Sequence, residues 1–108
     1  MGAKQYYGST CFDEKELQEA NISHNIELEY YGLQNEKDVG NNEVIYGIEV
    51  VKKEYIGEGV NEETSQIKHL TSSKEEVESI IGKLKSFKVT PIGLEDVVRD
   101  MFREKITE

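Results

Sequence analysis

Ile26-Glu27-Leu28-Glu29-Tyr30-Tyr31 and, further on, Tyr46-Gly47-Ile48-Glu49-Val50-Val51 are the two stretches whose reading decides the fold of this chain. In both, side chains alternate with a period of two, the mark of a strand that buries one face. Ile26, Leu28 and Tyr30 share a face with Tyr46, Ile48 and Val50. Glu27, Glu29 and Tyr31 point the other way, with Ile45, Gly47, Glu49 and Val51. The residues between the two runs are polar and include Gly40-Asn41-Asn42, types that tolerate the left-handed backbone of a chain reversal. A hairpin is expected, its return strand covering residues 43–55.

Toward the C-terminus, Gly57 and Gly59 with Asn61-Glu62-Glu63 form a second connection, and residues 64–71 read as a weaker third strand carrying Ile67 and Leu70. Those two are three apart and cannot share a face of a regular strand, so either a bulge intervenes or one of them packs from the strand's end. Ser72 and Ser73 are each followed three residues later by a glutamate, Glu75 and Glu76, the pattern of a capped helix start. Val77, Ile80, Ile81 and Leu84 then recur at helical spacing, with Lys83, Lys85 and Lys88 toward the negative end of the helix dipole. Thr90-Pro91 resets the backbone. Leu94, Val97, Val98, Met101 and Phe102 form a second apolar stripe, with Glu95 and Asp96 in its first turn.

Toward the N-terminus the periodicity stops. Residues 1–25 read as a flexible or weakly docked arm, in which residues 13–20 have the length of two helical turns and Phe12 and Leu17 are the large apolar anchors. The expected fold class is α+β: a three-stranded antiparallel β-meander followed by two C-terminal amphipathic helices packed on one sheet face. Residues 26–104 form the single domain and residues 105–108 a tail.

At 108 residues there is room for one core. Apolar residues make up 36% of the chain and charged residues 32%, which places it among folding rather than disordered sequences. The core is small enough to suggest a marginal monomer, or one stabilised by pairing with another chain. Twenty-two acidic against 13 basic side chains give a formal charge of −9, which repels phosphate backbones and anionic lipid surfaces. Nucleic acid and membranes are therefore not expected as partners. No segment approaches the about 18 apolar residues of a membrane span, the N-terminus lacks the pattern of a signal peptide, and the single cysteine, Cys11, has no disulfide partner in the chain. The cytoplasm is the expected location.

Residues able to carry chemistry are present, but not at the spacing that chemistry needs. Residues 38–49 have the length of an EF-hand loop with an acid at each end, but Gly40 supplies no side-chain oxygen and Glu43 stands where glycine is needed. His24 and His69 have no partner at metal-ligand spacing. Cys11 lies in the arm, and no nucleophile-elbow pattern occurs. Glu27, Glu29 and Glu49 share the outward sheet face, where exposed carboxylates act as solubilising charge rather than as an acid/base pair. No catalytic residue, cofactor or metal is expected.

What remains is apolar. With helices over the face of Ile26, Leu28 and Tyr30, the opposite face still presents Tyr31, Ile45 and Val51 among its glutamates. Two readings stand side by side. That face binds a partner, as aromatic residues framed by charge do at interfaces, or the arm folds back over it with Tyr6, Tyr7, Phe12 or Leu17.

The two strand stretches, extended to Lys52-Lys53, and the later run Val89-Thr90-Pro91-Ile92-Gly93-Leu94-Glu95-Asp96-Val97-Val98-Arg99-Asp100 resemble a family of short uncharacterised proteins from clostridia and related Firmicutes. The resemblance spans residues 26–102. It implies a bacterial cytosolic protein and brings no activity, ligand or catalytic residue with it.

Three functions follow as expectations. The leading one is a non-enzymatic protein-interaction module, self-associating through Tyr31, Ile45 and Val51. The second is a small-molecule or peptide pocket between sheet and helices, with Tyr30, Tyr46 and His69 as polar contacts. The third is an acidic decoy for a DNA-binding protein, which needs carboxylates clustered on one surface.

Overall fold

The computed structural model describes residues 3–38 and 43–106. Alternating residues build β2 (Asn25–Asp38) and β3 (Glu43–Ile56), which pair antiparallel with Tyr30 opposite Val50 and Tyr31 opposite Glu49. The predicted reversal at Gly40-Asn41-Asn42 lies outside the described residues. A two-residue loop, Gly57-Glu58, leads into β4 (Gly59–Thr71), with Gly57 in the left-handed region at φ 60°. This strand starts five residues earlier than its apolar content indicates, because its polar first half is held by pairing to β3.

Four strands and three helices are present among the described residues, not the three strands and two helices expected. The difference comes from the stretch expected as an arm. Residues Ala3–Cys11 form β1, an edge strand antiparallel to β2, and the sheet order is β1-β2-β3-β4. Tyr6 pairs with Tyr31 and Gly8 with Tyr30, so Tyr7 is a bulge residue, and Gly8 adopts φ 120° beside it. The bulge changes which face successive β1 side chains meet, which erases any simple alternation. The two helical turns do form as α1 (Glu14–Glu19), begun by a reciprocal capping box between Asp13 and Glu16.

Helix α2 (Lys74–Ser86) is capped by Ser73, whose hydroxyl accepts the Glu76 N–H at 3.1 Å. A 3₁₀ turn, Pro91–Gly93, precedes α3 (Leu94–Ile106). Both α1 and α2 end in a left-handed residue, Asn21 and Lys88. In each case two amides past the helix return to its last carbonyls: Ile22 to Leu17 and Asn21 to Gln18, then Val89 to Leu84 and Lys88 to Lys85.

The core lies between the sheet and the C-terminal helices. Leu28, Tyr30, Ile48 and Val50 meet Val77, Ile81 and Leu84 of α2 and Leu94 and Val98 of α3. Ile67 and Leu70 both pack against it, because the β3–β4 register slips between Tyr46 and Ile48 and leaves extra β4 residues opposite Gly47. A Cβ at Gly47 would stand 2.1 Å from the Ile67 carbonyl oxygen and 2.5 Å from that of Lys68, so only glycine lets the bulged backbone approach. Of the two readings of Ile67 and Leu70, the bulge is the one that holds.

Candidate functional site

Among the described residues, no helix is long and apolar enough to cross a membrane and no group of three or more His, Cys, Asp or Glu is placed to hold a metal ion. The candidate sites are therefore the sheet surface, its edges and the clefts beside the helices.

The core residues of α2 and α3 meet one sheet face; the opposite face carries Tyr31, Ile45 and Val51, and β1 changes how they stand. Tyr31 is half-buried, its ring tilted at 57° to that of Tyr6 with centroids 5.5 Å apart, and Lys4 Nζ lies 4.6 Å from its centre. Its hydroxyl donates to Glu29 at 3.1 Å, and burial, followed by that bond, pushes the phenol up. Val51 is buried and Ile45 half-buried. The large apolar residues left exposed on this face are Tyr6 (54%), Tyr55 (41%) and Val60 (49%). Of the four arm residues considered as a cover, Tyr6 lies over this face. Phe12 and Tyr7 pack against the core on the helix side instead, and Leu17 lines the cleft beneath α1.

The carboxylates of this face are knitted into it. Glu49, expected as solvated charge, is only 4% exposed, held by Lys4 Nζ at 2.9 Å and by the Gln66 side-chain amide. The Glu49 carboxylate in turn raises the Lys4 pKa. Glu29 receives Lys53 at 3.2 Å, and Glu27 accepts the Tyr55 hydroxyl at 2.9 Å, which pushes that phenol up. Each carboxylate thus braces neighbouring strands, and the three are not paired with one another for proton transfer.

Tyr30, Tyr46 and His69 do not form the expected pocket. Tyr30 is fully buried and its hydroxyl donates to the Val89 carbonyl at 2.8 Å, tying the sheet to the segment between α2 and α3. Burial alone pushes that phenol well above its ordinary value. Tyr46 is half-buried and borders a recess of about 80 Å³ near Tyr7 and Lys74, and His69 is exposed on the bulged part of β4. Across this recess the Tyr7 ring covers Gly32, where a Cβ would stand 2.6 Å from the ring, and its hydroxyl donates to Glu78 of α2 at 2.9 Å. Burial first, and then the Glu78 bond, push the Tyr7 phenol up to about 12.

Two larger concavities escaped sequence reasoning. Beneath α1 a cleft of about 430 Å³ is lined by Phe12, Leu17, Ala20, Ile22 and Ile26, with Lys52 at its rim. Lys88 closes its neighbourhood by bonding Glu16 and lying 5.8 Å from the centre of the Phe12 ring. The second is a groove between β4 and the start of α3. Its first part, about 660 Å³, lies between Glu63, Thr64 and Ser65 on one side and Ile92, Glu95 and Asp96 on the other. Its second, about 480 Å³, has Ile67, Leu70, Val98 and Phe102 as its apolar lining, and Glu95 borders both parts. The one sequence signal for this groove is Ile92, an apolar residue set between Pro91 and Gly93 and left 88% exposed.

Compared with known proteins, the chain matches the model of a family of unknown function (DUF6514) over residues 5–104. No curated protein and no solved structure matches it.

Proposed function

This chain belongs to the family of unknown function DUF6514, and from the geometry of its sheet we propose that it is a small non-enzymatic module that binds protein chains. We place it in the cytosol of a clostridium or related Firmicute. The observation that carries the reading is the one-sided sheet. The core helices pack on one face, while the other presents Tyr6, Tyr55 and Val60 to solvent between paired charges. That face holds Glu27, Glu29, Glu49 and Glu62 against Lys4 and Lys53, so it is closer to neutral than a chain of formal charge −9. Two copies meeting on it therefore face less repulsion than the net charge of the chain alone implies.

Light scattering across a concentration series tests the self-association. The mass is expected to rise toward a dimer at high micromolar concentration and to return to the monomer in Tyr6→Glu/Tyr55→Glu, two exposed positions whose replacement leaves the core intact. A wild-type mass that stays monomeric throughout sinks the self-association. A second reading is supported by the cleft beneath α1, whose volume falls in the range of small-molecule sites. An apolar ligand is its occupant, and Ala20→Trp, which fills the cleft from an exposed position, is expected to abolish binding of an apolar fluorescent probe.

A further inference from the structure

We infer that the groove between β4 and the start of α3 takes an extended, basic peptide segment, which adds to β4 as a fifth strand; this rests on the reading of the chain as a protein-interaction module. Of the sheet's two edges, β1 is broken by the Tyr7 bulge and by Gly8 at φ 120°, which blunts it against further pairing. β4 pairs with β3 without interruption from Gly59 to Ile67, and its other side is joined to no strand of this sheet. That free side runs beside the groove. A strand laid there has its amides matched by β4 and sends alternate side chains down toward α3.

The lining states which side chains fit. Glu63, Glu95 and Asp96 set three carboxylates around the first part, with the exposed Ile92 beside them. Asp96 meets Arg99 at 3.3 Å as an exposed pair, of the kind that contributes little and yields to a better-placed cation, and the exposed Glu63 meets the half-buried Lys52 at a loose 3.6 Å. The second part has Ile67, Leu70, Val98 and Phe102 as its apolar lining, with Arg99 and Arg103 beside them, so it takes an aliphatic side chain rather than a second cation. Ser65 lines the first part and Ile67, two positions on along β4, lines the second. An inward arginine or lysine followed two residues later by a large aliphatic residue therefore satisfies both. A second copy of the chain fits poorly, since its β4 brings Glu62 and Glu63 to a groove that already holds three carboxylates, on a chain of formal charge −9.

The test uses the full chain and a fluorophore-labelled, end-blocked peptide of about eight residues, two repeats of Arg-Thr-Val-Thr, which sets arginine and valine two positions apart on one face. Anisotropy gives the affinity, and amide chemical shifts give the location. Expected are shifts along residues 60–67 and at Ile92, and an affinity about tenfold weaker in Glu95→Gln/Asp96→Asn, which neutralises two exposed side chains without touching the core. Ile92→Ser is expected to weaken binding in the same way, and methylating alternate peptide amides to abolish it. No binding to the wild-type chain, or an affinity indifferent to the double substitution, overturns the inference. Shifts confined to the face of Tyr6 and Tyr55 overturn the groove while leaving the interaction-module reading in place. Concentration-dependent shifts at residues 60–67 without peptide make the occupant a second copy and overturn the basic segment.

Discussion

Gly47 shows how much of this fold rests on a single missing Cβ. The bulge that lets Ile67 and Leu70 enter one core brings two β4 carbonyls to within 2.1 and 2.5 Å of where a Cβ would stand, and both are backbone atoms that cannot rotate away. Gly47→Ala is therefore expected to cost about 2 to 3 kcal/mol, read as a lower urea midpoint at unchanged slope. Gly82 in α2 is the control, since a Cβ there meets nothing within 4 Å, and Gly82→Ala is expected to stabilise by about 0.5 to 1 kcal/mol. Tyr7 is the other decisive residue, with its ring on Gly32 and its hydroxyl on Glu78. Tyr7→Phe keeps the ring and should remove from an ultraviolet absorbance titration the phenol that ionises near about 12.

Among the elements, α2 illustrates a choice that pattern reading leaves open. Ser72 and Ser73 both stand three residues before a glutamate, and the structure selects Ser73, whose backbone is extended and whose hydroxyl meets the Glu76 amide. Ser73→Ala is expected to lower stability by about 1 kcal/mol and Ser72→Ala to leave it within about 0.5 kcal/mol, compared by chemical denaturation. The strands divide differently. β2 and β3 announce themselves because each buries one face, whereas β1 is an exposed edge whose bulge scrambles the alternation. What holds β1 is backbone pairing to β2, the Tyr7 contact with α2, and Lys4 and Tyr6 against Glu49 and Tyr31. A chain starting at residue 12 is accordingly expected to expose the β2 edge and to aggregate on light scattering, where a dispensable arm would leave a well-behaved domain.

On the scale of the whole molecule, the paired charges set a window of stability in pH. Lys88 holds the Glu16 carboxyl below its ordinary value, and His24, with Lys52, does the same for Glu54. A carboxylate held down in the folded state stabilises above its unfolded pKa of 4.5, and that contribution is lost as pH falls through the lower folded value. Tyr7 has the opposite sign. Its phenol is raised from 10.0 to about 12, so its contribution is complete below pH 10.0 and disappears as pH rises through about 12. Thermal midpoints are expected to stay level from about pH 5 to 10 and to fall on both sides, with the alkaline fall reduced in Tyr7→Phe.

The sequence by itself determined the class of the fold and most of its core. Alternation in residues 26–31 and 46–51 and helical spacing from Val77 to Leu84 are local patterns, and they survive because each element buries a face of its own. It also located Tyr31, Ile45 and Val51 on the face away from the core, but not what stands beside them. That β1 joins the sheet, that Tyr6 and Lys4 sit on Tyr31, that Glu49 is buried, and that Tyr30 bonds Val89 were decided only by tertiary structure. Each depends on which distant strand or loop supplies the neighbour, and an edge strand held by main-chain hydrogen bonds leaves no side-chain periodicity to read. The groove beside β4 belongs to the same class, since it exists only where α3 comes to rest against the edge of the sheet.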